Sequence, residues 1–250
     1  MKLLNAITLF AFLISFAAAA QEEIETDRPD QTENSALVPK GRFQFETGLK
    51  HEQTASNQME LTAPEILSKY GLHENIELRL ITEFAYTKTE EPESYGLQEL
   101  KIGTKIKIND EKGVIPAVSF IAQFQIPKVE AKGFKSQHIA PELRLVMRNK
   151  LSEKSDLGYN AGVKWDGIST QPQYFYTIAP NLKITDKLQA FAESFGNFSV
   201  AHRGEQWIDG GLSLRLNPDV QLDLALGWEC TKKDGEYHHF FEAVGFSIRI

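Results

Sequence analysis

Between Ile76 and Thr87 apolar and polar residues alternate one by one. Ile76, Leu78, Leu80, Thr82, Phe84 and Tyr86 fall on one side of an extended backbone; Glu77, Arg79, Ile81, Glu83, Ala85 and Thr87 fall on the other. A strand sends successive side chains to opposite faces, so this segment predicts a β-strand with one apolar wall and one largely charged wall. The split recurs. Leu100, Ile102, Thr104, Ile106 and Ile108 oppose Lys101, Gly103, Lys105 and Lys107. Val118, Phe120, Ala122, Phe124 and Ile126 oppose Ser119, Ile121, Gln123 and Gln125. Val220, Leu222, Leu224, Leu226 and Trp228 oppose Gln221, Asp223, Ala225, Gly227 and Glu229. Noisier versions begin near Phe43, Met59, Ile139, Leu157, Tyr174, Leu188, Ile208 and Phe240. The sum is about twelve strands of roughly nine to thirteen residues, the length a tilted strand needs to cross a hydrocarbon layer. The predicted fold class is all-β, a single antiparallel transmembrane β-barrel of about twelve strands with both termini periplasmic.

The connections fit hairpins. With the N-terminus periplasmic, tight periplasmic turns are predicted at Gly71–Asn75, Asn109–Gly113, Asn149–Asp156, Thr185–Lys187 and Asn217–Asp219, rich in the Asn, Asp, Pro and Gly that turn dihedrals favour. The remaining connections, His51–Asn57, Thr87–Tyr95, Pro127–Phe134, Asp166–Pro172, Asn197–Gln206 and Cys230–Tyr237, are predicted to be short outer loops. A weak repeat links Leu72–Leu78, Ile184–Ala190 and Leu216–Leu222, each an apolar strand end, a polar turn and an apolar-polar-apolar restart. Aligning the three places Ala190 and Ala192 toward lipid and Phe191 and Glu193 toward the lumen.

The first twenty residues stand apart: Met1-Lys2, an apolar run from Leu3 to Phe16, and Ala17 to Ala20 before Gln21. This is the pattern of a secretory signal peptide cleaved after Ala20. The expected division is residues 1–20 as signal peptide, 21–40 as an N-terminal periplasmic or plug segment, and 41–250 as an outer-membrane barrel. The lone Cys230 excludes an intrachain disulfide, and an exported lone thiol is a poor catalyst. The formal charge of −7 is spread along the chain with no basic block, so nucleic acid is not an expected partner.

The candidate site is the lumen face. It collects Glu77, Arg79, Glu83, Lys101, Lys105, Lys107, Glu142, Arg144, Lys164, Glu193, Asp209, Arg215, Asp223 and Glu229. Such a wall either lines a polar pore or packs shut with ion pairs, and twelve strands lie between the filled and the water-holding barrel sizes. The segment Asp27 to Glu33 is too polar for lipid. It is expected either to fold into or across the periplasmic mouth, with Asp27, Arg28 and Asp30 as plug residues and Arg28 pairing a lumen carboxylate, or to remain a disordered leader. Trp165, Trp207 and Trp228 fall near the outer strand ends, as interfacial aromatics do. The parity of Trp207 turns it inward, where it could stack on an aromatic solute. His202, His238 and His239, with Ser199 nearby, are the residues on which a lipid-modifying enzyme would rest. No nucleophile elbow, zinc spacing or phosphate loop accompanies them. No catalysis, cofactor or metal is expected.

The opening Glu25-Thr26-Asp27-Arg28-Pro29-Asp30-Gln31-Thr32-Glu33, followed by Val38 to Gly48, resembles the start of the outer-membrane transporter family labelled for the MetA-pathway of phenol degradation. Pro64 to Arg79, with its Tyr70-Gly71 turn and Glu77-Leu78-Arg79 strand, and Leu97 to Lys105 are similar to later family motifs, although Gln98-Glu99 stand where Gly-Asp is usual. The resemblance implies a porin-like barrel for small molecules, aromatic or apolar ones among them, of unassigned substrate. The alternative is a packed barrel with a structural or lipid-modifying role. The last strand, Gly245 to Ile250, is similar to outer-membrane assembly signals, although it ends in Ile where those end in an aromatic. It implies the barrel-assembly machinery and outer-membrane lipid as partners.

Overall fold

A computed structural model describes residues 23–55, 58–88, 93–199, 204–231 and 239–250. The expected signal peptide, His202 and His238 lie outside them. Twelve strands alternate along the chain: β1 (Phe43–Ala55), β2 (Gln58–His73), β3 (Ile76–Lys88), β4 (Ser94–Asn109), β5 (Ala117–Gln125), β6 (Ala140–Lys150), β7 (Ser155–Lys164), β8 (Gln173–Lys183), β9 (Leu188–Phe198), β10 (Glu205–Asn217), β11 (Val220–Glu229) and β12 (Phe240–Arg249). Each pairs antiparallel with its sequence neighbour, and β1 pairs with β12, so the sheet closes on itself. No strand edge is left exposed, which is the condition for a sheet to sit in lipid.

The alternation sorts side chains between two environments. Leu78, Leu80, Phe124, Leu222, Leu224 and Leu226 are exposed on the outer wall, whereas Glu77, Arg79, Lys105, Glu193, Asp209 and Asp223 are buried inside. A molecule that exposes its leucines and buries its lysines has its solvents inverted: the outer wall meets hydrocarbon. This is a transmembrane β-barrel of the outer-membrane type. Ala192 is exposed and Glu193 buried, the parity that the hairpin repeat requires.

Several boundaries differ from the sequence reading. β2 and β4 reach 16 residues, longer than expected. β4 starts at Ser94, inside the expected Thr87–Tyr95 loop, because Tyr95 and Ser94 pair with Tyr86 and Thr87. β2 runs through Tyr70-Gly71 to His73, so no turn lies at Gly71. A Cβ there would overlap the carbonyls of Val38 and Pro39, so glycine is what lets the incoming chain cross that strand. Between β5 and β6 the loop spans 126–139, longer than the predicted Pro127–Phe134. It is held by Glu130, which accepts from Gln125 Nε2 at 3.0 Å and Ser136 Oγ at 2.5 Å. These donors outweigh the cost of burial and hold the Glu130 carboxyl below the usual range.

Candidate functional site: a lumen crossed by the N-terminal segment

Residues 23–40 form no strand paired with the wall, apart from a single bridge between Lys40 and Gly71. They enter the barrel at its terminal end, where β1 begins and β12 finishes; there the Ile24 amide donates to the Pro218 carbonyl at 2.7 Å and Glu23 pairs with Arg215 at 2.6 Å. They then cross the lumen and return to β1. A segment with no regular structure must satisfy its backbone groups elsewhere, and the inward side chains of the strands do so. Glu46 accepts from the amides of Asp27 and Arg28, Glu193 from Gln31, Asn160 from Glu33 and Glu77 from Val38, at 2.8 to 3.1 Å. Thr32 Oγ1 donates to Glu193 at 2.6 Å and lies 2.7 Å from Thr177 Oγ1. Ser119 Oγ donates to the Ser35 carbonyl at 2.7 Å.

Asp27 is the hub. Lys105 reaches its Oδ1 at 2.9 Å, and Lys69 and Arg79 reach its Oδ2 at 2.9 and 2.8 Å. Arg79 also contacts Glu33 at 2.8 Å and Glu77 at 3.1 Å, while Lys69 also pairs with Glu46. Burial alone would raise the Asp27 pKa; Lys105, Lys69 and Arg79 together overcome it and hold the carboxyl well below its ordinary value. Asp30 sits oppositely. Burial, then the negative charges of Glu193 and Asp209 facing it, push its carboxyl well above the usual range. Glu193 and Asp209 are direct cross-strand partners.

Arg28 makes the third anchor, with ion pairs to Glu65 at 3.1 Å and Asp223 at 3.3 Å. Its guanidinium lies over Gly48 and Gly245, which pair across the β1–β12 seam. A methyl group on either glycine would overlap it. A local reason thus exists for Gly245, which the sequence reading attached to the assembly signal.

Beyond the segment, at the end opposite the termini, lies a cavity of about 210 Å³. Gln31 is on its floor; Phe175, Phe195, Trp207 and Phe241 give it rings; Lys50, Arg144 and Lys164 give it cations. Trp207 is 7% exposed and stacks on Phe195 at 6.1 Å between centroids, with Phe241 tilted at 5.9 Å. Trp228 faces outward at 51% exposed, and Trp165 is half-buried just past β7. Cavities of about 390 and 630 Å³ lie on the terminal side.

With this geometry the family comparison acquires a structural meaning. The family model described as "Putative MetA-pathway of phenol degradation" matches residues 26–250, so it covers the lumen-crossing segment as well as the strands. The chain belongs to this family. No curated protein matches the chain by sequence. Among solved structures, an outer membrane channel from Pseudomonas putida F1 is 12% identical, with a TM-score of 0.66, covering 90% of this chain and all of that one (100%). The NanC porin is 9% identical, with a TM-score of 0.60 over 82% of this chain and 100% of its own. The translocator domain of the autotransporter NalP from Neisseria meningitidis is 11% identical, with a TM-score of 0.55 over 86% and 91%. At such identities the likeness is one of fold.

The sequence-predicted lumen residues divide among several clusters. Asp27, Arg28, Glu77, Arg79, Lys105 and Asp223 meet in the anchoring network around the segment, and Asp30 with Glu193 and Asp209 forms an acidic face beside it. Glu142 and Arg144 pair at 2.9 Å, with Lys101 at 4.0 Å from Glu142. Arg215, Lys107 and Glu229 stand apart: Arg215 and Lys107 pair near the terminal end with Glu23 and Asp110, and Glu229 pairs with His239 at 2.7 Å at the other end. Glu83 is half-buried on β3. Sequence reasoning missed Glu46, Glu65 and Lys69 on β1 and β2. A register shift between Thr62 and Glu65 explains the last two: Thr62 faces in, and so do Leu67 and Lys69, so the even-odd count reverses there.

Proposed function

We propose that this protein is an outer-membrane channel for small molecules, closed at rest by its own residues 23–40, with the terminal end facing the periplasm. One observation carries the reading: a polar lumen with cavities on both sides of a segment that belongs to no strand. A barrel built only for rigidity could fill its interior from the wall alone. Here the obstruction is tethered at one end to β1 and held by ion pairs and hydrogen bonds, all of which can break without unzipping a strand. The family's link to phenol degradation and the ring-lined cavity favour solutes with a flat apolar body. We read the role as non-catalytic, in keeping with the family match over residues 26–250; His239, the described member of the rim histidines, lies 2.7 Å from the Glu229 carboxylate. Insertion is assigned to the barrel-assembly machinery acting on Gly245 to Ile250.

The test is conductance in planar bilayers of the mature chain and of a variant lacking residues 23–40, each first shown to be folded by heat-modifiable migration. The mature chain is expected to give rare, small openings and the deletion variant sustained steps. A folded deletion variant with no steps would instead mean a barrel packed shut by its wall.

A further inference from the structure

The cavity opposite the termini has an uneven charge balance. Of its cations, Lys50 is paired with Glu52 at 2.8 Å, and Arg144 is held by Glu142 at 2.9 Å and donates to the Gln31 carbonyl at 2.9 Å. The other carboxylate in the lining, Glu205, sits exposed at the rim and accepts from Asn197 Nδ2 at 3.3 Å. Lys164 is different: its cross-strand neighbour Glu142 is engaged by Arg144 at 2.9 Å, and among the described residues no carboxylate comes within ion-pairing distance of the Lys164 ammonium, which lies 6.0 Å from the Phe175 ring centre. An ammonium has three donors and no acceptor, so in a partly buried cavity it calls for an anion. Arg144 stacks over the same ring at 4.7 Å, which puts two cations on one side of the cavity.

The apolar half is as specific. Phe195 and Trp207 are nearly parallel, with an interplanar angle of 8°, and Phe241 is tilted at 42° to Trp207. Flat rings of this kind favour a flat partner in offset or edge contact. Size narrows the class. A cavity of roughly 150 Å³ accommodates benzene, so about 210 Å³ suits a single ring with one small substituent.

We infer that this cavity binds a small planar organic monoanion, its carboxylate on Lys164 and Arg144 and its conjugated body against Phe195, Trp207 and Phe241. The inference rests on the channel reading for its purpose but not for its test, because binding can be measured without transport. It is also narrower than a preference for neutral aromatic solutes: the charged end is required.

Isothermal titration of the folded, full mature chain in detergent separates the alternatives with three probes. Benzoate carries ring and charge, benzyl alcohol the ring alone, and cyclohexanecarboxylate the charge without a π face. Benzoate is expected to bind one per chain and at least tenfold tighter than either other probe. Lys164→Met should weaken benzoate at least tenfold and leave benzyl alcohol unchanged, and Lys164→Arg should restore benzoate. Trp207→Leu should weaken benzoate and leave cyclohexanecarboxylate unchanged. Heat-modifiable migration confirms that each variant is folded. Equal binding of benzyl alcohol and benzoate, an unaltered benzoate affinity in folded Lys164→Met, or no benzoate binding at all would each overturn the inference. Because none of these outcomes involves ion flow, a channel that conducts without binding benzoate would refute this site and leave the channel standing.

Discussion

At the residue scale the segment is governed by two aspartates with opposite tendencies. Asp27 is seated with its pKa held well below 3.8, by Lys105, Lys69 and Arg79 acting against burial. A carboxyl that is more acidic when seated stabilises seating fully above its free pKa, and that contribution disappears as pH falls through the seated value. Asp30 is raised well above 3.8 by burial and by Glu193 and Asp209. Its contribution is full below its free pKa and is lost as pH rises through the seated value. Conductance of the mature chain is therefore expected to increase in strong acid, and again as pH rises through the raised Asp30 value. In bilayers, Asp30→Asn should reduce the increase on the high-pH side of the profile. Asp27→Asn should open the channel at neutral pH, since removing one partner from a buried ionic cluster costs about 3 kcal/mol or more. A flat pH profile in the native chain would contradict both assignments. The sequence made Asp27, Arg28 and Asp30 visible as candidates through their polarity. It did not reveal their division of labour, which depends on which strand each meets across the lumen.

At the element scale, what could be read was what period two records. β3, β4, β5 and β11 were evident because each keeps its alternation over a long stretch, with the slips of the β3–β4 and β4–β5 pairings near the two ends of β4. β1 and β2 were obscure, because the register slips between Thr62 and Glu65 and again between Gly48 and Lys50. The ring wall of the cavity was half visible. Trp207 had the right parity, but Phe175, Phe195 and Phe241 come from other strands, and only the closed sheet brings them together. Glycine contributes here too. A Cβ at Gly227 would overlap the Phe241 ring, and one at Gly162 the Phe175 ring, so bare backbone positions seat two of the four rings. The outer wall makes its own prediction. Leu224→Arg places a charge in the lipid-facing belt of β11 and should cost about 2–4 kcal/mol if the site is near the bilayer midplane. Denaturant unfolding in liposomes measures this. A loss near zero would mean that the outer face of β11 does not meet hydrocarbon.

At the scale of the whole molecule, the Gly48–Gly245 pair joins two things that seem separate. The β1–β12 seam unites the two ends of the barrel sequence, so it is the last pairing for which both strands become available, and Arg28 occupies its inner side. The residues that fill the bore also precede β1 in the chain, so they are present before the ring can shut. On the channel reading, closing the ring and stoppering it are then expected to be one event, with no open hole at any stage of insertion. Dye-loaded vesicles should accordingly stay intact while the native chain inserts. They should leak when a chain lacking residues 23–40 inserts in its place; equal leakage from both would show that the bore is stoppered only afterwards.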